Sequence, residues 1–210
     1  MSHHNSPTEV STSAPAPTTP ATDPQQLPEI TRFITTHNAN GTAVFSSAFP
    51  DQVSRTTVPG ALFTLAYATD TFPLDLNSDR DLTAYQHYLE HSPGLAISTG
   101  SVCRIVDIGP DVASAMHRTV SIDYGVVLEG EVELILDSGE TRRLKRGDLA
   151  IQRGTNHAWK NATRTVDENG QERAGWARML YVLLPILPLQ VEGGEQLTES
   201  VDGMGVAKST

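Results

Sequence analysis

Residues 109–161 read GPDVASAMHRTVSIDYGVVLEGEVELILDSGETRRLKRGDLAIQRGTNHAWKN, and the reading of this stretch decides the fold. His117, Thr119 and Asp123 share a parity, so on one strand their side chains would leave the same face. Gly130 ends that strand. EVELIL and TRRLK then form two arms around a turn at Asp137, Ser138 and Gly139, with apolar alternation on the first arm. Gly147 and Asp148 turn the chain into LAIQ, and Arg153-Gly154-Thr155-Asn156 leads to His157. His157, Trp159 and Asn161 share a face if the chain is extended there. Antiparallel pairing could therefore bring two inward imidazoles and one carboxylate together, which are the ingredients of a metal site.

Outward from this core, the alternation continues. SVCRIVDI precedes the stretch and GWARMLYVLLP closes it. Earlier, ITRFITTHN and GTAVFSS flank a turn at Asn38–Gly41, and ALFTLAYATDTF is a further strand. One helix stands out: DRDLTAYQHYLEH carries Leu82, Tyr85 and Leu89 at helical spacing, with Asn77 or Ser78 to cap it and Pro93-Gly94 to end it. Residues 1–27 are mostly Ser, Thr, Pro, Ala and His and read as a disordered tail. The expected organisation is that tail, a β-rich extension with one helix over 28–98, a barrel over 99–190, and a C-terminal tail over 191–210.

The whole chain has 210 residues, of which 38% are hydrophobic, enough for one ordinary core. Its net charge of −10 argues against nucleic acid or an anionic membrane surface as the main partner. The longest apolar run, YVLLPILPL, is too short to span a bilayer. Cys103 is the only cysteine, so no intrachain disulfide forms and nothing calls for an oxidising compartment. No secretory or mitochondrial leader pattern is read at the N-terminus. The expectation is a soluble cytoplasmic protein.

The two polar signatures resemble those of the cupin superfamily, whose motifs are written G-x5-H-x-H-x(3,4)-E-x6-G and G-x5-P-x-G-x2-H-x3-N. The first runs from Gly109 through His117 and Asp123 to Gly130, with Thr119 at the second histidine position and Asp123 at the glutamate position. The second runs from Gly147 through Gly154 and His157 to Asn161, one residue short and with Gln152 near the proline position. The resemblance covers roughly 100–188. The earlier half looks similar to fungal single-cupin proteins encoded beside polyketide-type pathways. It implies an all-β fold, a double-stranded β-helix (jelly-roll) barrel with an N-terminal strand extension and one short helix.

The expected metal ligands, and with them the catalytic residues, are His117, Asp123 and His157. Such a two-histidine, one-carboxylate set suits Fe(II) with open positions, and Zn, Mn or Ni can also use it. Thr119 is expected to orient a bound water or substrate oxygen, and Trp159 to wall the site. Arg104 and Arg178, on strands flanking the motif strands, are candidates to clamp a substrate carboxylate, and parity alone does not choose between them. Tyr124 is expected to pack on the opposite face from Asp123, and Asn161 to steady its loop.

A metal-dependent enzyme of lyase, dehydratase, decarboxylase or isomerase type is expected, stabilising an enolate of a 1,3-dicarbonyl or hydroxy-acid substrate. A non-haem iron oxygenase or other oxidoreductase and a non-catalytic small-molecule binder are the alternatives, because fold alone does not select among them. The strand-rich segment 30–72 exceeds what one small barrel needs, and a homodimer joined through it and the barrel edge is expected.

Overall fold

A computed structural model describes Met1 and residues 26–210; most of the expected N-terminal tail lies outside the described residues. The chain begins with a hairpin, β1 (Thr35–His37) and β2 (Ala43–Phe45), turned at Asn38, whose side chain accepts hydrogen bonds from the Asn40 and Thr42 amides. Next come β3 (Thr56–Val58), β4 (Ala61–Thr69) and the helix α1 (Arg80–Glu90). The barrel strands follow: β5 (Ser101–Ile108), β6 (Ser121–Glu129), β7 (Glu131–Leu136), β8 (Thr141–Lys145), β9 (Leu149–Arg153) and β10 (His157–Asn161). After a short hairpin of β11 (Arg164–Val166) and β12 (Glu172–Ala174), β13 (Ala177–Pro185) re-enters the barrel, and β14 (Leu189–Gln190) and β15 (Gln196–Leu197) form a last small hairpin.

One sheet has the order β3-β4-β5-β13-β6-β9 and a second has the order β10-β7-β8. All their pairings are antiparallel. The two sheets share a core of Val106, Val127, Met179, Val132, Leu144 and Trp159. This is the expected all-β jelly-roll, and β3 and β4 extend its sheet within the same chain. Gly130 stands at the β6–β7 corner with φ +75°, where a Cβ would lie 2.3 Å from Thr163 Oγ1. Only glycine satisfies both the left-handed backbone and that close approach.

Two expectations change. Neither Asn77 nor Ser78 caps α1 through its side chain; the residue at the N-cap is Asp79, in left-handed conformation, and Asp75 accepts from the Asn77 amide one turn earlier. The helix holds instead by burying Leu82, Ala84 and Tyr85, with the Tyr85 hydroxyl donating to Leu65 O at 2.8 Å. Residues 191–210, expected as a tail, end docked on the barrel. Arg118 and Ser200 exchange both backbone hydrogen bonds, 2.7 and 2.9 Å, and Ser98 N donates to Thr210 O at 2.6 Å. Val201 is buried there. The segment has no strand or helix period to announce this, and its backbone pairs one residue at a time.

Candidate functional site

His157 opens β10, and the segment before β6 runs antiparallel beside it. His117 N donates to His157 O at 2.8 Å and His157 N to His117 O at 2.9 Å. Residues that exchange both bonds present their side chains on one face, and the two imidazoles lie with ring centroids 4.3 Å apart. Each Nδ1 sits 2.9 Å from a carbonyl two residues earlier, Ala115 O for His117 and Thr155 O for His157. A carbonyl can only accept, so each Nδ1 carries the proton and each Nε2 keeps its lone pair. Burial lowers the pKa of His117. His157 is lowered to about 4, first by burial and then by its neighbour His117. Both rings are therefore neutral near pH 7.

Asp123 stands in β6, in the other sheet. The chain leaves β10's side after Arg118 and joins the six-stranded sheet at Ser121, so the single strand expected to carry His117, Thr119 and Asp123 is broken between the sheets. The carboxylate is engaged locally: Ser121 Oγ donates to Oδ1 at 2.5 Å and Thr119 Oγ1 to Oδ2 at 3.3 Å. Burial raises its pKa to about 6, against the lowering effect of those hydroxyls and of Arg104. Among the described residues no group of three or more His, Cys, Asp or Glu side chains is placed to hold a metal ion. The expected ligand triplet is not grouped in this arrangement: the imidazole pair fits a divalent ion by its donor chemistry, while Asp123 is engaged by Ser121 and Thr119.

His117, His157, Thr119 and Asp123 all face a cavity of about 150 Å³. His117, His157, Thr119, Asp123 and Arg104 form its polar lining, and Phe63, Leu95, Val106, Ile108, Trp159 and Met204 are among its apolar walls. A cavity of this volume has room for a molecule about the size of benzene.

The structure separates the two candidate arginines. Arg104 alternates inward on β5 with Val102, Val106 and Ile108 and lines the cavity, where burial lowers its pKa to about 10. Arg178 faces away. Its Nε and Nη2 grip Asp107 at 2.5 and 2.7 Å, and Nη2 also donates to Pro28 O at 2.7 Å, so it is a structural clasp between barrel and N-terminal segment and does not line the cavity. Trp159 walls the cavity, with its ring 6.0 Å from His157. Asn161 is 1% exposed, and its Nδ2 donates toward Ile108 O, Gly109 O and Gly175 O. It ties three chain segments together, a structural role. Tyr124 packs less than expected, standing 39% exposed on the outer face.

Sequence reasoning missed Ser121, Tyr181, Met204 and Gly203. Ser121 had a signal, since 119, 121 and 123 form an alternating polar run in an otherwise apolar strand. Tyr181 is read out only by pairing, directly opposite Arg104. Gly203 and Met204 come from the docked C-terminal segment, where no local pattern points to the cavity.

No family model matches the chain. It is 47% identical over 176 residues to the phomopsin biosynthesis cluster protein C′ of Diaporthe leptostromiformis, covering 83% of this chain and 87% of that one. It is 42% identical over 163 residues to the cupin-domain-containing oxidoreductase virC of Hypocrea virens, covering 76% of this chain and 78% of that one. Among solved structures, the cupin domain of Cnp3 from Schizosaccharomyces pombe aligns with a TM-score of 0.42 and 12% identity over 75% of this chain and 89% of that one.

Proposed function

Because the chain belongs to the cupin superfamily, among fungal cupin-domain proteins of secondary-metabolite clusters, we propose that its cavity is the active site of an enzyme acting on a small oxygenated, polyketide-like substrate such as a 1,3-dicarbonyl or a hydroxy acid. One observation carries this reading: both imidazoles have Nδ1 tied to a carbonyl, leaving two basic Nε2 atoms on the wall of a largely apolar pocket. The Nδ1 bonds would serve a structural histidine equally; what points to a task is that both rings line the same cavity.

His117 and His157 are the residues that would hold a divalent ion, which would supply Lewis-acid polarisation of a substrate oxygen. The chain's own residues do the rest. The apolar walls exclude water and hold the carbon skeleton. Asp123, with a pKa near 6, is poised to take a proton from carbon next to a carbonyl and return it elsewhere, because a general base works best with a pKa near the working pH. Ser121 and Thr119 fix the orientation of its carboxylate. Dehydration and isomerisation pass through the enolate that such a proton transfer creates, and decarboxylation reaches the same enolate by loss of CO₂, after which a protonated Asp123 would return a proton to carbon. The names of the oxidoreductase relatives favour a second reading, oxidation of the same class of substrate.

The test combines metal content per chain after dialysis with turnover and O₂ uptake on a panel of 1,3-dicarbonyls and hydroxy acids. His117→Ala and His157→Ala should lose bound metal. Thr119→Ala and Asp123→Asn should keep it, and Asp123→Asn should lose most of its turnover. Substrate-dependent O₂ uptake would select the oxidoreductase reading. Full metal content and turnover in His157→Ala would overturn both.

A further inference from the structure

The chain buries two arginines within its sheets and treats them differently. Arg178 is paired in two-point fashion with Asp107. Arg104 is 5% exposed, yet among the described residues it makes no ion pair. Its one hydrogen bond runs from Nη2 to Gly94 O at 2.5 Å, and its Cζ lies 5.1 Å from the Phe63 ring centroid. A guanidinium carries five N–H donors, and one carbonyl and one ring face leave most of them unanswered. Buried cations are ordinarily paired, because desolvation without a partner is costly.

The neighbouring donors are similarly under-used. Tyr181, directly opposite Arg104 on β13, also lines the cavity. Among the described residues its hydroxyl contacts only Met179 Sδ, at 3.0 Å, a weak acceptor. Trp159 packs its ring 5.9 Å from that of Tyr181, and its buried indole N–H has no partner. Tyr181 and Trp159 thus line the cavity without a strong acceptor, beside an Arg104 whose guanidinium is answered by one carbonyl.

We propose that Arg104, Tyr181 and Trp159 form a carboxylate seat, so that the ligand of this cavity is a small organic acid rather than a neutral dicarbonyl. This rests on the reading of the cavity as the active site and narrows it. The acid group would dock on the Arg104 guanidinium through charge-assisted bonds. The uncharged remainder would lie along the apolar walls toward the imidazole pair. The ligand would then give Arg104 the hydrogen-bonded counter-charge that Asp123, felt across the cavity without a direct ion pair, does not supply.

The experiment compares acids with their amides on the full chain, in the presence of a chelator so that no metal competes for the carboxylate. Benzoate with benzamide, and 3-hydroxybutyrate with 3-hydroxybutyramide, are titrated by calorimetry. At least one acid should bind wild type tenfold or more tightly than its amide. Arg104→Met should reduce that ratio to near one, Arg104→Lys should retain part of it, and unliganded Arg104→Met should melt at or above the wild-type midpoint, because an unpaired buried charge has gone. Ratios near one for both pairs in wild type overturn the proposal. So does an Arg104→Met protein that is destabilised yet keeps its acid preference, which would make Arg104 a structural brace. Should Arg104→Met not fold, the wild-type ratios and Arg104→Lys decide alone. Ligand binding and unliganded melting are read, not metal content or turnover, so failure here leaves that test of the imidazole pair untouched.

Discussion

Asn161→Asp changes one amide nitrogen into oxygen and should be among the most damaging isosteric replacements in this chain. Nδ2 of Asn161 lies 3.0, 2.8 and 2.8 Å from the carbonyls of Ile108, Gly109 and Gly175, and Oδ1 accepts from Thr163 N at 2.9 Å. The replacement keeps the acceptor and inverts the donor, pointing a carboxylate oxygen at three carbonyl oxygens in a position 1% exposed. Two N–H bonds are lost, at about 1 kcal/mol net each, and the unanswered carbonyls add roughly 1–3 kcal/mol. A total near 4 kcal/mol corresponds to a fall of about 8–16 °C in the thermal midpoint for a chain of this size. The loss should depend on pH. The new carboxylate's folded pKa will lie above its unfolded value of about 3.9. The folded state therefore binds more protons than the unfolded state in that window, and stability falls as pH rises. The gap to wild type, measured by urea melts, should widen from pH 5 to pH 8. A gap below about 1 kcal/mol at pH 8, or one that does not widen, would refute the reading of Asn161 as the tie between the three segments.

Three further outcomes are expected. Arg178→Met should cost about 3 kcal/mol, the low end for a broken buried pair, because Arg55 Nη2 stays 3.6 Å from Asp107 Oδ2, and Arg178→Met with Asp107→Leu should recover part of that; chemical melts showing the double variant no better than the single one would contradict the clasp. In chelator, His157→Gln should make the protein less acid-labile. Burial and His117 lower the folded pKa of His157 from the ordinary 6.5 to about 4, so its contribution is present above 6.5 and is lost as pH falls toward 4. Asp123 acts in the opposite sense, because its pKa is raised from 3.8 to about 6 and acidification through that range favours the folded state. The two partly offset each other in wild type, and equal urea-midpoint losses between pH 7 and 4.5 in wild type and His157→Gln would refute the reading. Finally, β9 is an edge strand with Leu149 54% and Ile151 44% exposed, beside Tyr124. An apolar edge of this kind is expected to be covered by a second copy, so sedimentation at micromolar concentration should show a homodimer that Ile151→Lys dissociates; a wild-type monomer would rule this out.

The alternation of SVCRIVDI and EVELIL, with turns at Asp137–Gly139 and Gly147-Asp148, was enough to define the barrel strands, because a two-residue period and its punctuation are local properties. Placement of His117 beside His157 was equally legible, since both motif spacings lie within a single stretch. Three things were decided only in three dimensions. Parity put Asp123 with His117, but the chain changes sheets between Arg118 and Ser121, and a period carries no information about which sheet a strand joins. Arg104 and Arg178 are alike in sequence; pairing across β5 and β13 sends one into the cavity and the other to Asp107. The segment ending at Thr210 reads as a tail because it is held by isolated bonds to Ala96, Ser98 and Arg118 and by burial of Val201, none of which repeats along the chain. Those partners lie about a hundred residues away, where no local pattern can reach them.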